Sequence, residues 1–455
     1  MFDALFTTTT EYKKLSHALS GKGACALFGL PASGRAQVYA ALCRQLDKPL
    51  CIVTPGEAEA TRFAADLNTL GIPAAVFPAR DYVLRPIEGT AREYEYRRLA
   101  VLGELVGGRL RAVAVPAEAL TQFTTPKEDF CANTRTLHAG DTLLRDDLLA
   151  ALFGAGYTRR AQVDGPGQFS VRGDIVDIFA PDQKMPVRME FWGDEIDTLH
   201  TFDLTTQRRE DAIDKFYLSP AREVLFGKPA DAAEQLRAFL AKQRGKKKTA
   251  MADCMAADLD LLDGGAVPVN MDKYLAVRYP HPATVLDYFD DPILVAEEPA
   301  SIREADRATA YRRGEELKSL ILDGVLCAGL DNLYADPSYL WSKTGHYRTI
   351  CAENFTRSMP DQPLKDIINA PAHTLPAWNG EVAGLLEDLK PLCDAGYTVT
   401  LLAGTDRAAA GLARDLRDKG ILVTTDAAAA PAAGLVQVLA GHLSAGCEFP
   451  FAKYA

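Results

Sequence analysis

The stretch "GLPASGRAQ", Gly29 to Gln37, stands where a phosphate-binding loop would, directly after the apolar run "ACALF" and before the helix-like "AQVYAALCRQL". A working loop of this kind reads G-x-x-x-x-G-K-[ST]. Backbone N–H groups of the glycine turn and of the following helix N-terminus cradle phosphates, the lysine reaches the β and γ phosphates, and the hydroxyl ligates Mg²⁺. Gly29 and Gly34 keep the spacing, but Arg35 replaces the lysine and Ala36 the hydroxyl residue. Arg35 retains the charge on a longer, planar, forked head that is not interchangeable with lysine in a tight loop. Pro31 also removes one N–H group. Hydrolysis from this loop is not expected, whereas residual anion binding at the helix N-terminus stays open. The second NTPase element, an apolar strand ending in Asp-Glu, has a counterpart in "ILVAEEPA", where Glu297 and Glu298 follow Ile293 to Ala296. These acids could ligate Mg²⁺ or simply end a strand in water; the defective partner loop favours the second reading.

Other chemistries find little support. The seven histidines form no H-E-x-x-H, no G-x-S-x-G elbow is present, and the nine cysteines are scattered without a C-x-x-C pair. Neither a zinc site nor a disulfide framework is expected, and most of the cysteines are expected to be buried small apolar residues in a reducing cytosol. A formal charge of −11 on 455 residues is not the basic footprint of a chain whose main task is to grip nucleic acid. The run "RGKKK", Arg244 to Lys248, reads as a solvated loop, and "RGD" at 172–174 falls inside an expected strand. No signal segment and no apolar run of about 20 residues is visible, so a soluble, cytoplasmic protein without a membrane partner is expected.

The elements that must position these residues change along the chain. Up to residue 125, "ACALFGL", "PLCIVTP", "PAAVFP" and "RAVAVPAEAL" alternate with helical segments, which predicts a parallel sheet covered by helices. From 126 to 225, "FSVRGDIVDIFAP" and "MPVRMEFWGDEIDTLHTFDL" read as antiparallel strands, the latter turning at "WGDE". There Val187, Met189 and Phe191 alternate with Arg188, Glu190 and Trp192, so one face is apolar and the other carries charge. Arg172, Arg188 and Glu190 thereby make a candidate recognition face, although a solvated sheet face has the same pattern. Residues 226–350 return to helical and apolar segments, and beyond about 370 "YTVTLLAGT", "ILVTTD" and "GLVQVLAG" announce a separate small α/β unit.

Several of these stretches carry a family likeness. "FSVRGDIVDIFAP", "PVRMEFWGDEIDTLHTFDLTTQRR" and "LSPAREV" resemble the module shared by the excision-repair protein UvrB and the bacterial transcription-repair coupling factor (Mfd) family. "LVAEEPASIREADRATAYRRGEELKSLILDG", "LPAWNGEVAGLLEDLK" and "LAGHLSAGCEFPFAKYA" resemble the coupling factors specifically, so the likeness runs from about residue 10 onward. It implies a degenerate, UvrB-like P-loop NTPase-like α/β domain, split into 1–125 and 226–350. A β-rich α+β domain is inserted at 126–225, and a linker with a small α/β domain follows at 351–455. It also implies lost ATP hydrolysis, in keeping with Gly29, Gly34, Arg35 and Ala36. "ARDYVLRPIEGTAREYEYRR" is too short for the strand-separating hairpin of UvrB, and Tyr82, Tyr94 and Tyr96 are expected to pack against their own domain.

In that family the inserted domain docks UvrA. The likeness places UvrA contacts at Arg159 in "GYTRRAQV", Arg172 in "SVRGD", Glu190 in "RMEFWGDE" and, as an apolar contributor, Phe179 in "DIFAP". Where UvrB has a further arginine, this chain has Ser170. The family's RNA-polymerase-interaction domain, double-stranded-DNA translocase motor with its ATP and Mg²⁺, and C-terminal regulatory domain would follow this region. The chain is therefore expected to be an N-terminal fragment with no cofactor and no catalytic residue of its own. Two rivals remain: a divergent ATP-dependent DNA-remodelling enzyme using Arg35 with Glu297 or Glu298, and a structural module that holds the motor inactive.

Overall fold

The computed structural model describes residues 7–87, 91–359, 362–375 and 382–455. In chain order, strands β1 (Gly23–Phe28), β2 (Leu50–Thr54), β3 (Ala74–Val76) and β4 (Ala112–Pro116) alternate with the helices Ala32–Leu46, Glu57–Thr69 and Glu93–Val106. Eight strands follow before the sheet resumes: β5 (Arg135–His138), β6 (Thr158–Arg159), β7 (Gln168–Arg172), β8 (Ile175–Phe179), β9 (Val187–Trp192), β10 (Glu195–Phe202), β11 (Arg209–Ala212) and β12 (Lys215–Leu218). Strands β13 (Ile293–Glu297), β14 (Arg348–Glu353) and β15 (Leu364–Asn369) then complete a seven-stranded sheet in the order β15-β1-β14-β13-β2-β4-β3.

Every pairing in this sheet is parallel. Crossovers between parallel strands put helices on both faces, so the central strands must be apolar throughout. Strands β2, β4 and β13 are accordingly buried at every residue. The expected helix-covered parallel sheet is thus present, and its last two strands run past residue 350.

The β-rich segment is a six-stranded sheet in the order β11-β10-β9-β8-β7-β6, beside a two-stranded β5-β12 ribbon. Phe169, Val176, Ile178, Met189, Phe191, Ile196 and Leu199 point from it into one core shared with Leu148 and Leu152 of the helix Arg145–Gly154. The tripeptide at 172–174 does not lie within a strand as expected. Arg172 ends β7, and Gly173 (φ 60°) with Asp174 forms the exposed two-residue turn into β8, because only the glycine accepts a left-handed conformation at that corner. "RGKKK" is also not a loop: Lys246 to Lys248 open the helix Gly245–Asp263. Cations at a helix N-terminus oppose the macrodipole, so the sequence carries no start signal there.

Strands β16 (His373–Leu375), β17 (Val399–Ala403), β18 (Val423–Thr424), β19 (Val436–Ala440) and β20 (Gly446–Glu448) complete the chain. β17, β19 and β18 form a parallel sheet backed by Leu412, Ala413 and Leu416 of the helix Asp406–Asp418, which Thr405 caps by accepting from the Ala408 amide. β16 pairs antiparallel with β20. Among the described residues no helix is long and apolar enough to cross a membrane.

A buried ionic cluster ties the insertion to its host. Glu223, just beyond β12, and Arg98 are both 0% exposed, and Arg98 Nε donates to Glu223 Oε1 at 2.5 Å. Arg80 lies 3.3 Å from the same carboxylate and reaches Asp272 Oδ2 at 2.7 Å, joining residues from three stretches of the chain. The Glu223 amide donates to Glu95 Oε1 at 3.0 Å. Burial would raise the Glu95 carboxyl, but Arg80, Arg222 and Arg92 outweigh it and hold the group down at about 2. Removing one partner of such a cluster strands a buried charge at a cost of about 3–5 kcal/mol. Glu223→Ala is therefore expected to destabilise the chain by about that amount in urea unfolding. A loss below about 1 kcal/mol would show that the cluster does not anchor the insertion.

Candidate functional site

The phosphate-type loop is shorter in space than its spacing implies. β1 ends at Phe28, Gly29 turns at φ 90°, and Pro31 already caps the helix Ala32–Leu46. Gly34, Arg35 and Ala36 therefore lie in the helix, where the Arg35 amide is spent on the Pro31 carbonyl at 2.9 Å. The helix start is also covered. A Cβ built on Gly34 would fall 2.8 Å from Cys447 Sγ and 3.3 Å from the Phe449 ring. Ala36 is buried and offers no oxygen.

The charge of Arg35 is consumed inside the fold. Its Nη1 donates to Glu298 Oε1 at 2.8 Å, while its Nε touches Glu297 Oε2 at 2.9 Å without the alignment of a hydrogen bond. Tyr39 donates to the other Glu297 oxygen at 2.5 Å. The two acids at the end of β13 thus face the arginine of the loop across the sheet. A nucleoside triphosphate with Mg²⁺ does not fit these residues: the seat is covered, the cation is paired and the hydroxyl is missing. Among the described residues no cluster of three or more His, Cys, Asp or Glu side chains could hold a metal ion.

The sheet of the insertion is arranged differently. Asp177 pairs with Ser170 on β7 and with Arg188 on β9, and paired residues share a face. Its carboxylate, buried beneath that face, accepts from Arg172 Nη2 at 2.7 Å and from both Arg188 Nε at 2.7 Å and Nη2 at 3.0 Å. The hydrogen bonds to Asp177 raise the Arg188 guanidinium above its ordinary range. One carboxylate thereby fixes two guanidinium groups, and the half-exposed Arg172 carries the uncompensated charge outward. Beside them Glu190 binds Arg209, with Thr198 Oγ1 at 3.4 Å from its other oxygen. Ser170 faces the same way with its hydroxyl buried and unbonded among the described residues.

The fold therefore brings Arg172, Arg188 and Glu190 together. It does not bring Arg159 to them. Arg159 pairs with Phe169 on the edge strand β6, which places it on the opposite face, exposed at a cleft against the split domain. Phe179 shares the face of Arg172 by register but is only 6% exposed, covered by Val163 and Phe202. Of the tyrosines, Tyr82 is buried and donates to the Phe123 carbonyl at 2.7 Å, Tyr96 meets Arg222, and Tyr94 is exposed.

Sequence reasoning missed two residues here. Asp177 organises the face, and its signal was the second acid of "DIVDIF", set between the apolar Val176 and Ile178 of one strand. Trp192, at the β9–β10 turn, follows Arg188 and Glu190 in alternation and is 82% exposed. Tryptophan beside arginine is the composition of an interface anchor rather than of a solvated strand end.

Residues 136–224, which contain this whole sheet, match the family described as the UvrB interaction domain. The chain carries a UvrB-interaction-like domain and matches bacterial transcription-repair coupling factors. It is similar to the "Transcription-repair-coupling factor" of Bacillus subtilis (strain 168), 25% identical over 441 residues, covering 94% of this chain and 37% of the relative. It is also similar to that of Staphylococcus haemolyticus (strain JCSC1435), 25% identical over 436 residues, covering 93% of this chain and again 37% of the relative. The chain thus spans 37% of the length of these curated relatives.

The loop network yields a pH prediction. Burial, partly offset by Arg35 and Tyr39, pushes the Glu297 carboxyl up to about 7. A carboxyl raised in the folded state gives stability that is full below its unfolded value near 4.5 and is lost as pH rises through about 7. Glu297→Gln is expected to flatten this decline when urea midpoints are compared across that window. An identical pH slope in both proteins would contradict the assignment.

Proposed function

We propose that the chain is the UvrA-recruiting module of a transcription-repair coupling factor, acting in transcription-coupled nucleotide excision repair. The observation that carries this reading is the Arg172–Asp177–Arg188 cluster, exposed through Arg172 on a sheet that lies wholly within the matched UvrB interaction domain. Pre-oriented arginine on a rigid strand, with Glu190 and Trp192 alongside, combines charge steering with an apolar anchor. Arg159 extends the contact around the β6 edge, and Phe179, on the same face as Arg172, packs with Val163 and Phe202 beside it.

The split domain is proposed to be a degenerate P-loop NTPase-like, UvrB-like fold without hydrolysis in this chain, since Arg35, Glu297 and Glu298 bind one another. ATP-driven translocation on double-stranded DNA and displacement of stalled RNA polymerase are proposed for the longer protein. Its ATP and Mg²⁺ would be held by motor domains outside these residues, and a C-terminal regulatory domain would mask the sheet until the motor engages.

Binding of purified UvrA to immobilised chain tests the proposal. Arg172→Ala is expected to weaken it about tenfold or more, because truncating one member of a charge pair costs about 2–5 kcal/mol when desolvated and less where it is half exposed. Trp192→Ala is expected to weaken it comparably while leaving thermal unfolding unchanged. Full-strength binding by a correctly folded Arg159→Ala, Arg172→Ala double variant would overturn the site.

A further inference from the structure

A cavity of about 910 Å³ opens between the insertion and the split domain, at the β6 edge of the six-stranded sheet. Arg159 and Arg160 line one wall and Lys228 the other; all three are exposed, and none has an ion-pair partner among the described residues. Arg222 and Arg92 lie deeper. Arg222 Nη1 donates to the Tyr96 hydroxyl at 3.1 Å, and Arg92 to the Val269 carbonyl at 2.6 Å. Asp272, the acid in this lining, is already spent on Arg80 at 2.7 Å and on the Val83 amide at 2.8 Å. Arg92 also pairs with Glu95 at 2.8 Å, and Arg222 faces the same carboxylate, so Arg159, Arg160 and Lys228 are the cations that this cavity leaves uncompensated, in a chain of formal charge −11.

Its walls are shaped for more than a simple anion. Phe153 is 39% exposed at one rim, and the Tyr96 ring lies within, its hydroxyl 2.8 Å from where a Cβ on Gly167 would stand. A Cβ on Gly156 would likewise meet Arg222 Cγ at 2.8 Å. Glycine at these two positions lets the insertion close onto Tyr96 and Arg222 while leaving bare backbone facing the space. The volume lies near the top of the range of about 300–1,000 Å³ for ligand pockets and exceeds what a lone phosphate fills.

We infer that this cleft is a binding site for single-stranded nucleic acid, with Arg159, Arg160 and Lys228 on phosphates and the Phe153 ring at the rim available to a base. Unpaired cations along a groove with aromatic faces are what sequence-tolerant binding of single strands requires. Arg159 is common to this site and to the UvrA reading, whereas Arg160 and Lys228 belong to the cleft alone and Arg172 to the sheet face alone, so variants at those residues tell the two apart.

Fluorescence anisotropy with a short labelled oligothymidylate tests it at low salt. The chain is expected to bind, and an Arg160→Ala, Lys228→Ala double variant to bind at least tenfold more weakly. The slope of log affinity against log salt should fall by about 0.7 for each cation removed. Arg172→Ala is expected to leave this binding unchanged while weakening UvrA binding. Adenosine monophosphate competing at similar concentration would identify a mononucleotide as the source of the same chemistry; failure to compete would identify the strand. Absence of binding would overturn the inference. So would binding that survives the double variant but is lost when Lys246, Lys247 and Lys248 become alanine, or displacement of the oligonucleotide by an equal concentration of polyglutamate.

Discussion

The closure of Arg80 and Arg98 onto Glu223 is the contact on which the rest of the molecule depends. The chain leaves its parallel sheet after β4, builds a mostly antiparallel sheet with its own core, and must return in register to lay β13 against β2. Glu223 marks that return. Its carboxylate meets arginines from the first half, its amide meets Glu95, and Arg80 carries the bond on to Asp272 in the second half. Such a cluster contributes less net stability than an apolar core of equal size, but any misregistered closure leaves full charges buried and unpaired. Charge here specifies how the insertion sits on its host, and so fixes the angle at which the Arg172 face is presented.

The same economy is visible at the glycine loop. Arg35 is set against Glu297 and Glu298, with Tyr39 closing the group, so these charged side chains are one another's partners. Cys447 and Phe449 fill the space above Gly34. The strand-to-helix turn at Gly29 is packed into the core on one side and covered by Cys447 and Phe449 on the other.

How legible this was depended on the range of the signal. The parallel sheet was readable because double burial forces continuous apolar strands, as in "LCIVT" and "ILVAE". The charged face of β9 was readable because alternation has a period of two residues. What the sequence did not disclose were relations across the chain. The cover over Gly34 comes from Cys447 and Phe449, some four hundred residues away in sequence, and the turn at Gly173 is set by the pairing of β7 with β8. The role of Asp177 emerges only when three strands stand side by side. The separation of Arg159 from Arg172 follows from the register of a two-residue edge strand, which no local pattern encodes. "RGKKK" was misread because tertiary packing of Met251, Met255 and Leu262 holds a helix that its own charges disfavour.

The segment from Gly441 to Ala452 also sets how the chain bears load. Ser444 donates to Asp66 through both amide and hydroxyl, at 2.7 and 2.6 Å, Thr69 donates to the His442 carbonyl at 2.8 Å, and Phe449 packs over the helix Ala32–Leu46. The small terminal sheet is consequently bolted to the split domain and does not hang from a slack tether. A pull or twist on that sheet is delivered to Asp66 and Gly34 and, through the rigid parallel sheet, to the Glu223 closure. One continuous path of packed and hydrogen-bonded residues thus joins the small terminal sheet to the split domain and, through Glu223, to the insertion.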